Sequence, residues 1–412
     1  MIGAAVLLSC VLGVGGCVRA VHRPGEPVSI YLTGDIDAAA AARAAAMVSS
    51  RRAVCPSLWM HAGEVRTDPV MAAVGGMGMQ ASVLDAAGVD AVLLGPGWLE
   101  SGVEDCRSTA DRARFYLLGA NILDEAGEPV GHPFMVRRFG LESVACVGVW
   151  QDSADVRLRA KGVDFVAPDY AVDKTMPLLR LRAETVGALS LRPLALQERS
   201  LDFTLGAASD SGPGARLPAA DSAVRLDLLL QGGRVVEYSV HQQALADCPP
   251  DSAVARQLDS LRAAVDSAAA RTVAEATATI SPRAFTRAVV AGYLEERGDA
   301  FAYDGEIVRD TLPSGALTVR GLIEALVSPG RIVLTDMTGA VVKALAKDRA
   351  VTLAWRRGLA QRPVLANSGY RVAMTLDFLS RHPELAGDGF EIDAEPLWQV
   401  ASRVLGAGGG RP

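Results

Sequence analysis

The sequence has few of the residues on which catalytic and metal sites usually depend. Among 412 residues there are five histidines, and aromatic residues make up 5%. Beyond residue 17 the cysteines are far apart and form no CxxC pair, so the pattern favours buried free thiols over a zinc site. We find no P-loop, no GxSxG, no HExxH and no dinucleotide-binding fingerprint after a strand, which excludes the enzyme classes that those motifs mark.

Charge of one sign is not concentrated anywhere in the chain. The 47 acidic and 41 basic residues give a net charge of −6 without long runs. This argues against a nucleic-acid partner and leaves a small anionic or neutral partner open. Half of the residues are hydrophobic, and the length allows two or three globular domains. After residue 20 we find no apolar segment long enough to span a bilayer.

The first 17 residues, MIGAAVLLSCVLGVGGC, form an almost uninterrupted apolar run of signal-peptide length. Its end, Val14-Gly15-Gly16-Cys17, resembles a bacterial lipobox. The resemblance implies that residues 1–20 are a lipoprotein signal and that Cys17 carries a lipid. The protein would then be exported and tethered to a bacterial membrane, in the periplasm or at the cell surface. An uncleaved signal or a membrane-anchoring helix is the alternative, and it also implies export.

Strand-like and helix-like segments alternate through residues 24–245, which predicts βαβ layering. Two hairpins are predicted in this part, from PVGHPFMVRRFGLESVACVGVW and from RLDLLLQGGRVVEYSVH with its Gly-Gly turn. Residues 251–279 are rich in alanine and charge and lack glycine and proline, so they predict a long connecting helix. Residues 283–405 read as a second α/β unit.

Several segments together resemble the 5′-nucleotidase and UDP-sugar hydrolase family. They are LLGANILDEAGEPVGHPFMVRRFGLESVACVGVW (117–150), YDGEIVRDTLPSGALTVRGLIEAL, IVLTDMTGAVVKALAK, and ANSGYRVAMTLDFLS followed by AGDGFEI. They occur in the family's order over about residues 27–400. The resemblance implies an α/β (α+β) fold: a metallophosphoesterase-like four-layer αββα sandwich, followed by a smaller α/β 5′-nucleotidase carboxyl-terminal domain.

In that family, loops at strand ends hold two divalent metals that activate water and clamp a phosphate. Asp35 keeps the family's aspartate, and Glu100 stands for another. At the remaining positions the residue type differs: Asp37 for a histidine, Glu64 for the bridging aspartate, Pro96 for an asparagine, Gly97 for the catalytic histidine, Trp98 for a glutamate, and Leu191, Ala207 and Ser209 for histidines. The resemblance therefore implies that the dinuclear metal centre is lost.

A residual site for one divalent cation remains open. Asp35, Asp37 and Glu64 are three carboxylates near one another in the loops, and carboxylates suit magnesium or calcium. They could equally be solvated or cap helices. His61 lies close to Glu64 in sequence and could join such a site or be a structural histidine.

The resemblance also assigns ligand-binding residues in the second domain. Arg309 matches an arginine of the nucleotide site, Asp304 matches a motif asparagine, and Phe390 in GDGF matches one base-stacking aromatic. A second stacking aromatic is replaced by VSPG at 327–330. Arg309 and Phe390 could thus bind a nucleotide or another phosphorylated small molecule. Alternatively, Arg309 pairs with a neighbouring acid and Phe390 is a core residue.

Three functional hypotheses follow. The first is an exported, catalytically degenerate phosphoesterase that acts as a binding or scaffolding module. The second is a weak or altered metal-dependent phosphohydrolase acting on nucleotides or related phosphate esters. The third is a nucleotide sensor in which only the second domain binds ligand.

Overall fold

The computed structural model describes residues 27–191, 201–206, 212–305 and 307–407. In its first part the strands are Pro27–Thr33 (β1), Ile36–Asp37 (β2), Ser57–His61 (β3), Val65–Arg66 (β4), Ala91–Leu93 (β5), Tyr116–Leu118 (β6), Ile122–Leu123 (β7), Phe134–Phe139 (β8), Glu142–Gly148 (β9), Asp164–Phe165 (β10), Thr185–Leu189 (β11), Phe203–Gly206 (β12), Gly214–Arg216 (β13), Ser222–Gln231 (β14) and Arg234–Ala244 (β15). The helices of this part are Ala38–Arg52 (α1), Pro69–Ala87 (α2), Val103–Arg112 (α3) and Pro168–Arg182 (α4).

Two mixed sheets form the centre of this part. The first has the order β15-β14-β1-β3-β5-β6, with β1, β3, β5 and β6 parallel. The second has the order β13-β12-β11-β9-β8, with β9, β11, β12 and β13 parallel. Both predicted hairpins are confirmed, as the antiparallel pairs β8-β9 and β14-β15.

The layers follow from the alternation of buried side chains along the strands. One apolar cluster lies between the two sheets and includes Leu32, Met60, Cys146 and Leu226. A second cluster fills the space between the first sheet and its helices, and a third lies between the second sheet and α4. This is the expected four-layer αββα sandwich.

The second part contains the strands Thr272–Ala276 (β16), Ala300–Asp304 (β17), Gly315–Thr318 (β18), Ile332–Thr338 (β19), Val351–Trp355 (β20), Gly369–Thr375 (β21) and Phe390–Ile392 (β22). Its helices are Ser252–Ala269 (α5), Pro282–Glu296 (α6), Val319–Ala325 (α7), Gly339–Leu345 (α8), Leu376–Arg381 (α9) and Leu397–Ala407 (α10). The main sheet has the order β20-β17-β21-β19-β22, and β16 pairs with β18.

The two parts share one continuous apolar cluster, to which α2, α5, α6 and α7 all contribute. Hydrogen bonds join the two parts as well. The Lys161 amide donates to the Phe390 carbonyl at 2.7 Å. The segment before β10 therefore attaches to β22, at the edge of the main sheet of the second part. The Trp398 indole donates to the Ala73 carbonyl at 3.0 Å, and the Arg331 guanidinium to Ser101 Oγ at 3.0 Å.

Two sequence expectations are wrong at this level. The predicted helix over 251–279 begins at Ser252, where the Asp251 side chain caps it, but it ends at Ala269. Thr272–Ala276 is a strand instead, because β-branched Thr272 and Val273 suit an extended backbone that pairs with β18.

The other correction concerns membrane spans. By length and composition α2 could cross a bilayer, although we expected no such segment after residue 20. In this structure it is a core helix that packs against α1, α5 and α7.

Candidate functional site

The loops that resemble metal-binding loops lie at one edge of the sandwich. They follow the carboxyl ends of β1, β3, β5 and β11, where parallel strands of a sheet expose their following loops together. The ends of the two sheets are in direct contact: the Ala120 amide donates to the Gly148 carbonyl at 2.8 Å. The candidate site is therefore a single region built from both sheets.

The first two loops are tied to each other and to a helix. The Glu64 amide donates to Asp35 Oδ1 at 2.8 Å, and a side chain at Gly63 would collide with Asp35. Asp37 Oδ1 accepts the Ala40 amide at 2.7 Å and so caps α1. We considered that these carboxylates cap helices, and for Asp37 the structure shows such a cap.

The third loop, GPGWLESG, forms a 3₁₀ turn over Pro96–Leu99. Pro96 and Trp98 are buried, and the Trp98 ring contacts Phe115 at 6.2 Å between centroids. Gly97, which the resemblance places at a histidine position, has no side chain to contribute. A Cβ there would lie 2.9 Å from Glu64 Oε1 and 3.7 Å from Arg157 Nη1, so both side chains flank this glycine.

A guanidinium group stands beside Gly97, between two carboxylates. Arg157 binds Asp155 through Nε at 2.9 Å and Nη2 at 2.8 Å, and its Nη1 contacts Glu100 Oε1 at 2.8 Å. The two contacts to Asp155 have the bidentate geometry that makes arginine–carboxylate pairs strong. Asp155 also accepts the Arg157 amide at 2.9 Å, which closes the turn that presents the guanidinium.

The electrostatics of this cluster favour the charged form of Arg157 and disfavour that of Glu100, whose net pKa shift is upward. Burial lowers the pKa of Arg157, but Asp155 and Glu100 raise it by more, so the net shift is upward. Burial raises the pKa of Glu100, Arg157 opposes that shift, and the nearby carboxylates of Glu64 and Asp377 add to it. Asp377 belongs to the second part of the chain, so the cluster faces that domain.

His61 lies under this edge and is fully buried. Its Nδ1 is 3.0 Å from Thr33 Oγ1, which also accepts the Trp59 indole N–H at 3.0 Å. Its Nε2 is buried without a hydrogen-bond partner among the described residues. Burial lowers the pKa of His61 to about 4, so the ring is neutral at pH 7.

Of the remaining predicted positions, the structure describes Leu191. Leu191 follows β11 and packs against the cluster between the sheets, as a hydrocarbon side chain does. Ala207 and Ser209 lie outside the described residues, as does Cys17.

Sequence reasoning missed the residues that organise this edge. Asn121, in the quoted ANI motif, is fully buried and donates to the carbonyls of Trp150 at 2.6 Å and Val166 at 3.2 Å. Its Oδ1 accepts the Trp150 amide at 2.9 Å. Trp150 in turn covers Gly95, where a Cβ would come within 3.1 Å of the indole ring. The signal for Arg157 was only the local D-x-R spacing of Asp155 and Arg157, which points to no particular function.

The residues present do not fit a dinuclear metal centre. Pro96, Gly97 and Leu191 offer no side-chain donor, and Asp37 is engaged as a helix cap. Across residues 27–407, outside the short gaps in the description, no group of three or more histidine, cysteine, aspartate or glutamate side chains is placed to hold a metal ion.

The three residues predicted to bind a ligand in the second domain each contact a different part of that domain. Asp304 Oδ1 accepts a hydrogen bond from Arg381 Nη2 at 2.9 Å, and Arg309 Nη2 donates to the Leu326 carbonyl at 3.1 Å. Arg309 is exposed, and no ion pair joins it to an acid among the described residues, which do not include Glu306. Phe390 has no exposed surface and belongs to the core beneath β22. A base cannot stack on a buried ring, so the core interpretation of Phe390 is the correct one.

Comparison with solved structures gives likenesses over almost the whole chain. A putative 5′-nucleotidase from Staphylococcus aureus is 12% identical and has a TM-score of 0.60, with 92% of this chain and 96% of that one covered. A 5′-nucleotidase precursor from Thermus thermophilus is 15% identical, with a TM-score of 0.52 and the same coverage. The NAD nucleotidase of Haemophilus influenzae is 11% identical, with a TM-score of 0.54 and coverage of 94% and 97%.

This chain has the 5′-nucleotidase fold. No protein-family model matches the sequence, and neither does any curated protein. At identities this low the likeness concerns the fold, and the side chains at its edge decide what the fold can do. In this fold the loop after β5 carries Pro96, Gly97 and Trp98, with the guanidinium of Arg157 beside it.

Replacing Arg157 tests whether it holds this edge together. Arg157→Met would leave Asp155 and Glu100 without their shared cation, and we expect it to lower the free energy of unfolding by about 1–3 kcal/mol in urea titrations. Arg159→Met is the matched control, since exposed Arg159 makes one side-chain bond, to the Pro383 carbonyl at 3.3 Å. Equal losses for the two variants would contradict a special role of Arg157.

The buried histidine predicts a pH-dependent stability. The folded-state pKa of about 4 lies below the ordinary value of 6.5, so the folded state binds fewer protons than the unfolded state between these values. Stability should fall by about 3 kcal/mol as the pH drops from 6.5 to 4. His61→Asn cannot titrate and should flatten this part of the stability profile while leaving its shape above pH 7 unchanged. An unaltered slope below pH 6.5 would rule out His61 as its source.

Proposed function

We propose that this protein is an exported binding or scaffolding module with a nucleotidase fold, and that it does not hydrolyse phosphate esters. The observation that carries the proposal is the Arg157 guanidinium, held by Asp155 and Glu100 beside Gly97. A cation built from the chain itself neutralises the carboxylates at the edge where the family's metals would bind.

The chemistry of this cluster supports a loss of hydrolysis. Metal-assisted attack on a phosphate ester needs a bound water whose pKa the metal lowers. A guanidinium has no open coordination position and stays protonated, so it cannot generate that nucleophile. His61 is buried beneath the edge and neutral at pH 7, and Gly97 offers no base.

Export rests on the amino-terminal sequence. The apolar run that ends at Cys17 supports secretion with a lipid anchor, and it lies outside the described residues. One residual cation at Asp35, Asp37 and Glu64 remains a hypothesis. The capping role of Asp37 and the bond of Asp35 to the Glu64 amide leave fewer free donors for that cation.

Metal content and turnover test the proposal directly. The purified protein should carry less than one transition metal ion per chain and should release no phosphate from AMP or UDP-glucose with added manganese. Arg157 already supplies the positive charge at this edge, which is the physical reason for the expectation. Manganese-dependent turnover that is lost in both Asp35→Ala and Glu64→Ala, with folding intact by circular dichroism, would establish the metal-dependent phosphohydrolase instead.

A second candidate function, binding of an anionic small molecule, is favoured by a cavity of about 350 Å³ between α1, α2 and α5. Arg43, Arg66 and Arg262 line it together with the carboxylates of Asp37, Asp68 and Asp259, over an apolar floor that includes Met71 and Leu258. Its size lies within the range of small-molecule sites, and arginine forks suit phosphate and carboxylate groups.

Two of the three arginines of this cavity lie beside carboxylates, and the third is available to bind a ligand. Arg66 pairs with Asp221, and Arg262 Nη2 lies 3.7 Å from Asp68 Oδ2. Half-buried Arg43 makes no hydrogen bond or ion pair with any other described residue. An incoming nucleotide or phosphorylated metabolite could therefore bind Arg43 without breaking an existing pair.

Ligand-induced stabilisation distinguishes this cavity from the second domain. We expect AMP, and to a lesser degree inorganic phosphate, to raise the melting temperature, with affinity falling about tenfold in Arg43→Ala because one charge-assisted contact is lost. Arg256→Ala, on the exposed side of α5, is the matched control. Loss of the shift in Arg309→Ala alone would place the ligand in the second domain, as in the nucleotide-sensor hypothesis. No shift with any ligand would contradict both sites.

A further inference from the structure

The outer strand of the first sheet, β15, has a free edge. It is 11 residues long and lies beyond β14, and nearly all of its residues are exposed. Among the described residues no strand pairs with its outer side. A long strand with unpaired backbone donors and acceptors is a template for another strand.

Two of the usual protections of an edge strand, proline and lysine, are missing from β15. Its bulge opposite Leu229/Leu230 and its Arg234 lie near its start, so residues 237–244 pair regularly with β14. Within this regular stretch Glu237 is the only acidic or basic residue apart from His241. The outer strand of the second sheet, β8, differs because it carries two adjacent arginines, Arg137 and Arg138, and like charges oppose pairing with a second copy.

The two faces of β15 differ in chemistry. Tyr238 and Val240 pair across the ladder with Leu228 and Leu226 of the core, yet they remain 48% and 46% exposed. Glu237, Ser239 and His241 alternate with them and face the opposite side. His241 Nε2 is held on that side, 3.1 Å from Ser239 Oγ and 3.6 Å from Asp227 Oδ2.

We propose that β15 pairs in antiparallel fashion with β15 of a second copy of this chain, about a two-fold axis at Ser239. In this register Glu237 lies opposite the partner's His241, and His241 lies opposite the partner's Glu237. Tyr238 lies opposite the partner's Val240 on the other face. One sequence thus supplies both halves of each pair, as an isologous interface requires.

Self-complementarity is the reason to assign a second copy as the occupant. A shift of the axis by one residue, to Tyr238, would place Glu237 opposite Ser239 and leave His241 opposite Val235. Of these two axes, the one at Ser239 places the Glu237 carboxylate opposite the His241 imidazole and also places Tyr238 opposite Val240. The dimer joins two six-stranded sheets into one continuous sheet and covers Tyr238 and Val240 on the apolar face.

A charge exchange tests the pairing and its register together. Sedimentation velocity of the full chain in mild detergent, across the micromolar range, should show a monomer–dimer equilibrium. Glu237→Arg should weaken the dimer at least about tenfold by placing Arg opposite His241, and His241→Glu should do so by placing two glutamates opposite each other. The double variant E237R/H241E restores an opposite-charge pair and should return the dissociation constant to within about threefold of the wild type.

A second pair of variants tests the apolar face. Val240→Lys should give a monomer, while Val341→Lys, at a similarly exposed valine of α8 (39% against 46%), should leave the dimer unchanged. Circular dichroism and melting temperatures verify that each variant is folded. A wild type that stays monomeric overturns the proposal, whether or not another segment covers β15. A dimer that Val240→Lys and both charge variants leave unchanged overturns it as well.

Discussion

Three hydrogen bonds of one buried amide determine how the two sheets meet. Asn121 leaves the first sheet after β6 and binds both backbone groups of Trp150, which leaves the second sheet after β9. A buried amide without these partners would lose its hydration with no compensation, so the two loops must stay in register. Trp150 then covers Gly95 of the candidate catalytic loop, and the chain beyond it turns to present Arg157.

The charge balance at this edge explains how the fold can persist without a metal pair. Glu100 and Asp155 bring negative charge to this edge with side chains that are 47% and 17% exposed, and Glu64 adds an exposed carboxylate. Carboxylates this close together are stabilised by a cation. Arg157 supplies that cation with a planar fork that two carboxylates can share. Under the proposed function, the same guanidinium takes the place of the Lewis acid on which hydrolysis depends, so structural compensation and loss of catalysis would have one cause.

The local pattern of residue types predicted some strands and helices correctly and others wrongly. Alternating apolar residues predicted the hairpins β8-β9 and β14-β15, and Asp37 marked the start of α1. The helix predicted over 251–279 was too long, because alanine content cannot reveal that Thr272–Ala276 finds a strand partner in β18, some 40 residues away in sequence. Phe390 matched a motif position, yet its ring is buried in the core. The backbone of Phe390 is held between β19, with which it pairs, and Lys161, whose amide donates to its carbonyl.

By itself the sequence determined which side-chain ligands this edge can offer: Pro96, Gly97 and Leu191 have no donor atoms in their side chains, whatever conformation the chain adopts. It also determined the alternation of strands and helices in residues 24–245, since the period of apolar residues is a local property. Only the tertiary structure decided what replaced the missing chemistry. Arg157 and Glu100 are 57 residues apart, and Asn121 and Trp150 are 29 apart. Such contacts depend on how strand ends meet in space, which no local pattern specifies.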